Sequence, residues 1–221
     1  MKTKGDKMRK LKTIIMVFVC LQVCFFTTVQ VSAANPDGHV CSHGYHTFSD
    51  HKMSHGVGNY GNNRRYYWTT GFSSTYNSYI SKAVNEWVNT SPGGPNVTTS
   101  ISIRKTNTRS SAMFEFHNKY LGANILGRTH FYLYSNEIAL TSGTLTKDYG
   151  WSLVEISVKS LTNHSISANQ CKGTIAHELG HAMGLSHQNN RRASIMCQTA
   201  YSRTATRADA KDCKTINHIY G

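Results

Sequence analysis

One short segment, residues 177–187 with the sequence HELGHAMGLSH, constrains this chain more than any other feature. His177 and His181 are four residues apart, so on a helix they lie on the same face, with about 5–6 Å between their Cβ atoms. A zinc ion with Zn–N bonds of about 2.0–2.1 Å can bridge two such imidazoles. Gly184 can adopt the left-handed conformation that ends a helix, which allows His187 to return as a third ligand. Three neutral nitrogen ligands leave a fourth position open for water, which is the arrangement of a catalytic metal site.

The segment matches the extended zinc motif H-E-x-x-H-x-x-G-x-x-H of the metzincin metallopeptidases at every fixed position. Metzincins also carry a methionine turn beneath the metal, and Met196 follows the third histidine after a short loop. Residues 209–221 resemble the C-terminal helix of the matrixin branch, and residues 64–87 are similar to a matrixin opening. The strong part of the resemblance covers residues 171–221.

The resemblance implies a zinc endopeptidase that acts on protein or peptide substrates. In such an enzyme zinc lowers the pKa of water from about 15.7 toward about 7, and Glu178 would accept the proton as general base. Met196 would pack under the metal, and Tyr201 is a candidate for support of the oxyanion. We expect one catalytic Zn²⁺ ion. Matrixins usually bind calcium and a second zinc as well. The chain has few acidic residues and no cluster of Asp at ligand spacing, so calcium is not supported.

The first 33 residues have the composition of a secretory signal peptide. A basic region leads into an almost wholly apolar stretch over 11–26, and small residues at 31–33 suit cleavage after Ala33. The apolar stretch is shorter than the approximately 20 residues of a spanning helix, which favours secretion over a membrane anchor. We therefore predict a signal peptide over 1–33, an extended Gly/His-rich arm over 34–63 and a metzincin-like catalytic domain over 64–221. The secreted, extracellular product would have no transmembrane span.

The chain is strongly basic, with 24 Lys and Arg against 11 Asp and Glu and a formal net charge of +13. Residues 1–33 hold six of these basic residues and one of the acids, so their removal leaves a net charge of +8. A field of this sign attracts anionic partners, and a bacterial envelope surface is one candidate. The basic residues are scattered and no nucleic-acid-binding motif is present, so nucleic acid is not an expected partner. Arg191 and Arg192, beside the histidine segment, are placed to touch a substrate, and the protein is expected to be a monomer.

Two other functions stay open from the sequence. A cell-wall hydrolase that cuts peptide cross-links would use the same zinc chemistry on an anionic substrate, and the positive charge permits it. A non-enzymatic protein that retains zinc for folding would keep the histidines, although the presence of Glu178 favours an enzyme.

The order of apolar patterns predicts an α+β fold in one domain. Strands are predicted over 66–70, 97–105, 112–117, 129–134 and 151–158. A helix over 74–90 has an apolar side formed by Tyr76, Ile80, Ala83, Val84 and Trp87. The histidine-bearing helix is predicted over about 168–183, with Ser165 or Ser167 as its cap. The resemblance implies a mixed, twisted sheet packed on this helix and on a C-terminal helix, with a cleft between the edge strand and the zinc.

Cysteine usage predicts disulfides, because an even number of cysteines is left in an exported chain after signal removal: Cys41, Cys171, Cys197 and Cys213. Four cysteines allow three pairings. Cys197 lies in the segment that resembles the methionine turn and Cys213 in the one that resembles the final helix. Our hypothesis is a Cys197–Cys213 bridge, with Cys41 and Cys171 forming the other.

The predicted arm contains five histidines: His39, His43, His46, His51 and His55. A second metal site in the arm is therefore an alternative to incidental histidines. Another alternative concerns Cys41. Instead of forming a disulfide, it could cap the zinc, so that the arm would act as an inhibitory segment.

Overall fold

Among the residues that the structure describes, six strands form one mixed sheet, and the histidine-bearing helix packs against it. The computed structural model describes residues 38–58, 64–90 and 94–221. The predicted signal peptide over 1–33 lies outside the described residues, as do residues 34–37 and 59–63 of the predicted arm.

The strands are β1 (Arg64–Trp68), β2 (Ile103–Lys105), β3 (Phe114–Asn118), β4 (Gly127–Leu133), β5 (Asn136–Ile138) and β6 (Trp151–Ile156). Their order across the sheet is β2-β1-β3-β6-β4-β5. Strands β1, β2, β3 and β6 run parallel, whereas β4 is antiparallel to both β6 and β5. Among the strands, the antiparallel β4 has the most extensive contact with the histidine-bearing helix. The predicted α+β fold with a mixed sheet is confirmed.

In the described ranges the sheet is accompanied by four α-helices: α1 (Ser74–Val88), α2 (Val158–Asn163), α3 (Ala168–Ala182) and α4 (Ala210–Tyr220). The predicted apolar side of α1 is buried at Ile80, Ala83, Val84 and Trp87. This side packs against α3, where the indole N–H of Trp87 donates to the carbonyl of Ala176 at 2.9 Å. Within the described ranges, no helix combines the length and the apolar character that crossing a bilayer requires.

Side-chain caps set the starts of α3 and α4. Ser167, one of the two predicted caps, accepts the backbone N–H of Gln170, whose side chain in turn accepts the N–H of Ser167. Asp209 and Asp212 form the same reciprocal arrangement at the start of α4. Each cap satisfies N–H groups that have no partner inside the helix and typically contributes about 1 kcal/mol.

Short elements account for most of the differences from the predicted secondary structure. The predicted strand over 97–105 is reduced to Ile103–Lys105, the part that pairs with β1. Strand β5 and helix α2 were not predicted, because three and six residues are too few to show a period.

Residues 38–58 of the predicted arm pack against the domain. Phe48, Met53 and Val57 are at most 4% exposed and belong to the main core. Thr47 forms an antiparallel bridge to Leu185, just after α3, and Met53 forms a parallel bridge to Tyr149. This segment therefore reaches the loop that carries the last histidine of the run.

The two predicted disulfides are not formed in the described part of the chain, where Cys41, Cys171, Cys197 and Cys213 are buried thiols. The two sulfur atoms that would form the Cys41–Cys171 bridge have different neighbours. Cys41 Sγ lies 3.6 Å from His218 Nε2 on α4, whereas Cys171 Sγ lies 3.5 Å from the carbonyl oxygen of Ile166. Cys197 Sγ lies 3.5–3.8 Å from three carbonyl oxygens of its own loop.

Candidate active site

The three histidines of the run converge at the end of α3 and in the loop that follows. Nε2 of His181 lies 3.1 Å from Nε2 of His177 and 3.1 Å from Nε2 of His187. Tetrahedral zinc with Zn–N bonds of about 2.0–2.1 Å holds its nitrogen ligands about 3.3 Å apart. The structure therefore brings the three predicted ligands together at a spacing that suits one ion.

Backbone carbonyls hold two of these imidazoles in one tautomer. Nδ1 of His177 lies 2.7 Å from the carbonyl oxygen of Ile195, and Nδ1 of His181 lies 2.7 Å from that of Leu185. A carbonyl can only accept, so these contacts place the proton on Nδ1 and leave a lone pair on Nε2. Lone pairs facing each other at 3.1 Å repel unless a cation lies between them. The group can therefore hold a metal ion.

Burial also keeps the three imidazoles neutral. It lowers the pKa of His181 to about 3 and that of His187 to about 4, because the interior disfavours the charged ring. The pKa of His177 is lowered well below its ordinary value by burial, with the neighbouring imidazoles adding to the effect. The neutral ring is the form that binds a metal.

Glu178 lies beside the histidines in a buried position against β4. Thr129 Oγ1 lies 2.9 Å from Oε2 of Glu178 and 2.9 Å from its backbone carbonyl oxygen. A Cβ atom at Gly127 would lie 2.6 Å from Cγ of Glu178, so β4 can approach this closely only through a glycine. Burial raises the pKa of Glu178 to about 7, with the Thr129 hydrogen bond and the charge of Arg203 opposing the shift. A carboxyl group with this pKa can both accept and release a proton near neutral pH.

Gly184 makes the turn that separates the second and third histidines. Helix α3 ends at Ala182, and Gly184 follows with φ +98, in the left-handed region. Its N–H donates to the carbonyl of His181 at 2.8 Å. A Cβ atom at this position would lie 3.0 Å from the carbonyl oxygen of His51, so the close approach of the N-terminal segment also requires glycine.

Met196 is buried against α3, in the turn that supports His177. Gly180 faces its sulfur, and a Cβ atom at Gly180 would overlap that sulfur. The carboxylate of Asp212 on α4 accepts the N–H of Ile195 at 2.9 Å. Because the Ile195 carbonyl accepts from His177 Nδ1, α4 is connected through this turn to the orientation of the first histidine.

The N-terminal segment holds the loop that carries His187. Nδ1 of His46 donates to the carbonyl of His187 at 2.7 Å, and the N–H of Phe48 donates to the carbonyl of Gly184 at 3.1 Å. Gly38, with φ +70, is so near that a Cβ atom on it would lie 2.8 Å from the backbone nitrogen of His187. The position of the third histidine therefore depends on a segment distant in sequence.

Replacing Gly38 with alanine is expected to displace His187 and to weaken zinc binding by about 10- to 100-fold. The methyl group would press on the His187 backbone, and alanine is disfavoured at φ +70. Gly122→Ala is a matched control, because Gly122 has φ +99 but no atom within 4 Å of the added Cβ. Competition titrations against a zinc chelator measure both affinities. Equal zinc affinity in the two variants would contradict a role for Gly38.

A cleft of about 400 Å³ opens onto the histidines and Glu178, with the apolar side chains of Phe48, Phe131 and Leu140 on its walls. A smaller cavity of about 190 Å³ also borders Glu178 and is lined in part by Arg203. Strand β5 pairs only with Phe131–Leu133 of β4. Among the described residues, no strand covers the 127–130 edge of β4 on that side.

Three residues singled out from the sequence lie away from the reacting centre. Tyr201 is 45% exposed and lines neither cavity. Arg191 forms ion pairs with Asp209 and Asp212, so it stabilises the start of α4. Arg192 donates from Nε to a carbonyl of its own loop at 2.9 Å. The prediction that this arginine pair touches a substrate therefore has no support in the geometry.

The sequence reasoning missed Gly127, Thr129 and Asp212. A glycine that opens a strand indicates a close backbone approach, so Gly127 had a recognisable signal. Thr129 and Asp212 carried no local signal, because their partners are 49 and 17 residues away along the chain.

Comparison with known proteins agrees with this geometry. The family model described as matrixin, peptidase M10, matches residues 73–221. No curated protein is significantly similar to the chain in sequence.

Three solved structures match parts of this chain at low overall similarity. A GM1-bound form of the ECX AB5 holotoxin has a TM-score of 0.43 and 17% identity, over 76% of this chain and 84% of that one. High choriolytic enzyme 1, a hatching enzyme zinc-protease of the medaka fish Oryzias latipes, has a TM-score of 0.33 and 19% identity, over 64% and 50% of the two chains. Myroilysin has a TM-score of 0.45 and 14% identity, over 76% and 97%. The family match covers more than half of the chain and includes the histidine motif, so the protein belongs to the matrixin family of zinc metalloendopeptidases.

Proposed function

We propose that the protein is a secreted zinc endopeptidase that hydrolyses peptide bonds in extended segments of other proteins, with Glu178 as its general base. One observation carries this proposal. Three Nε2 atoms, two from helix α3 and one from the loop after it, face one another beside the buried carboxylate of Glu178, with a cleft open to them. A site that retained zinc only for folding would need neither the carboxylate nor the cleft.

The donor set of the site fits zinc. Three neutral imidazoles are a common ligand set of catalytic zinc, and His177, His181 and His187 would hold the ion. When bound, zinc supplies Lewis acidity that makes water nucleophilic near neutral pH and polarises a carbonyl group.

Glu178 would move the proton. The Thr129 hydroxyl holds Oε2, which leaves Oε1 to accept a proton from the attacking water. Burial raises the pKa of this carboxyl group in the metal-free site. After accepting the proton of the water, Glu178 would pass it to the nitrogen of the leaving amine. Thr129 therefore acts as a positioning residue for Glu178.

An extended peptide is the substrate that the cleft fits best. The uncovered 127–130 edge of β4 offers backbone N–H and C=O groups, to which an extended chain can add as another strand. Phe48, Phe131 and Leu140 would receive an apolar side chain of that peptide. Flexible or unfolded protein segments are therefore the proposed substrates.

Several features of this proposal rest on the sequence. They are the secretion signal over 1–33, the monomeric state, the lack of a calcium requirement and the attraction to an anionic envelope surface. The mature net charge of +8 supports the last of these and keeps cell-wall peptide cross-links as a second substrate to test.

Removal and return of the metal test the proposed function. Residues 34–221 are expected to cleave fluorescently labelled casein, to lose this activity after treatment with a zinc chelator, and to recover it with one equivalent of zinc at the three-histidine site. Purified cell-wall material is assayed in parallel by loss of turbidity. Casein cleavage that persists in metal-free protein would contradict the proposal, and turnover of wall material alone would favour the cell-wall hydrolase.

A further inference from the structure

A second group of metal-binding atoms lies where the N-terminal segment meets α4. Cys41, His43 and Asp50 come from the segment and His218 comes from α4, and one ligand atom of each lies within 4.8 Å of the others. Cys41 is buried, Asp50 and His218 are half-buried, and His43 is exposed. This group, called the arm cluster below, shares no residue with the three histidines of the active site.

The distances within the arm cluster fit one tetrahedral zinc ion. Cys41 Sγ lies 3.6 Å and Asp50 Oδ1 lies 3.1 Å from the same atom, His218 Nε2. Nδ1 of His43 lies 3.8 Å from Oδ2 of Asp50. With Zn–S of about 2.3 Å and Zn–N and Zn–O of about 2.0–2.1 Å, tetrahedral angles give about 3.6 Å between sulfur and nitrogen and about 3.3 Å between nitrogen and oxygen. The two separations from His218 Nε2 are close to these values, and all four ligand atoms lie within 4.8 Å of one another, so the side chains would draw together to share an ion.

The local backbone brings Cys41 and His43 to the cluster. The N–H of Cys41 donates to the carbonyl of Tyr45 at 2.8 Å, and the N–H of Gly44 donates to the carbonyl of Cys41 at 2.9 Å, so residues 41–45 form a tight turn. The ring of Tyr45 stacks on that of His218, with centroids 4.3 Å apart. The turn is therefore packed on α4 at the histidine that completes the group.

Asp50 reaches the cluster from an uncommon backbone conformation. Ser49 and Asp50 have φ values of 57 and 60, in the left-handed region that residues other than glycine seldom adopt. The hydroxyl of Thr47 donates to Oδ1 of Asp50 at 2.8 Å and fixes the carboxylate. Backbone in this conformation is strained for residues other than glycine. It persists where the surrounding structure holds it in place, most often at functional sites.

A nucleophilic triad of Cys41, His218 and Asp50 does not fit the geometry. In such a triad the acid contacts one ring nitrogen and the nucleophile contacts the other. Here Cys41 and Asp50 both approach Nε2 of His218. Convergence of a sulfur and a carboxylate oxygen on one nitrogen is the arrangement of ligands around a common ion.

We propose that the arm cluster binds a second zinc ion through the thiolate of Cys41, the imidazoles of His43 and His218 and the carboxylate of Asp50. Thiolate and imidazole together favour zinc over calcium or magnesium. Four protein ligands close the coordination sphere, so the ion would be structural. This inference does not rest on the proposed peptidase activity.

A bound ion would link the N-terminal segment to helix α4 and, through that segment, to the active site. The N-terminal segment that supplies Cys41 also contacts His187 through Gly38 and His46. Fixing the segment on α4 therefore also fixes the backbone that presents the third active-site histidine.

Cobalt substitution tests the arm cluster separately from the active site. Cobalt bound to a thiolate gives a charge-transfer band in the near ultraviolet, and the three-histidine site has no thiolate. Residues 34–221 are expected to bind two metal ions per chain and to show this band. Cys41→Ser is expected to bind one ion and to lose the band. Cys171→Ser is the matched control, because Cys171 is also a buried thiol but lies outside the cluster, and it is expected to keep both.

A variant on the surface keeps the test decisive if Cys41→Ser does not fold. The side chain of His43 is 65% exposed, so His43→Ala is expected to fold and to bind the second ion at least about tenfold more weakly. A wild-type chain that binds one ion and shows no thiolate band would overturn the proposal, as would an undiminished band in Cys41→Ser. The band can be present in a chain without peptidase activity, so failure of the proposed function would be recognised separately.

Discussion

Replacing Glu178 with glutamine is expected to lower kcat/KM for peptide hydrolysis by about 10²- to 10⁴-fold while zinc stays bound. The amide keeps the shape of the side chain and can still pair with Thr129, but it cannot accept the proton of the attacking water. None of the three predicted metal ligands is altered. Initial rates on a labelled peptide and metal content by mass spectrometry are measured on the same samples.

The control for this variant is Glu86→Gln, the same chemical change on helix α1. Glu86 forms an ion pair with Lys172 at 2.7 Å and lines neither cavity at the site. Its kcat/KM is expected to stay at the wild-type value. A Glu178→Gln chain that retains near-normal turnover would show that another group takes the proton.

Replacing His181 with alanine is expected to abolish both zinc binding at the active site and peptide hydrolysis. His181 is the central member of the group, because its Nε2 lies 3.1 Å from each of the other two. Without it two imidazoles are left, and zinc affinity should fall by at least about a hundredfold. Metal content after gel filtration in a weak chelator, together with activity across a zinc titration, measures the loss.

His164→Ala is the control for the histidine substitution. His164 is exposed, and its Nε2 contacts the carbonyl oxygen of Ala123 at 2.7 Å. This variant is expected to bind zinc and to hydrolyse peptide as the wild type does. Full activity of His181→Ala at stoichiometric zinc would show that the three histidines do not form the catalytic centre.

The parts of the fold that were predictable have local causes. The start of α3 follows from the Ser167 cap, its end follows from Gly184, and the histidine spacing follows from the helical period. The apolar side of α1 was predictable because its residues also follow the helical period. In each case the residues that decide the structure lie within a few positions of one another.

The parts that were not predictable depend on contacts between distant segments. Nothing near Thr129 in the sequence indicates that its hydroxyl will meet Glu178, and nothing near Gly38 indicates that it will rest on His187. The cysteine pairing stays a prediction, and the neighbour of Cys41 in the structure is His218, 177 residues away. A histidine-rich segment without a period offered no way to foresee this packing.

The central claim is that three imidazole nitrogens share one zinc ion that keeps an open position towards the cleft. Anomalous diffraction at the zinc absorption edge, on crystals of residues 34–221 grown with zinc, tests it most directly. The predicted result is a strong peak at about 2.0–2.1 Å from Nε2 of His177, His181 and His187, with solvent as the remaining ligand. No peak between these rings, or an ion there that is enclosed by four protein atoms, would contradict the claim.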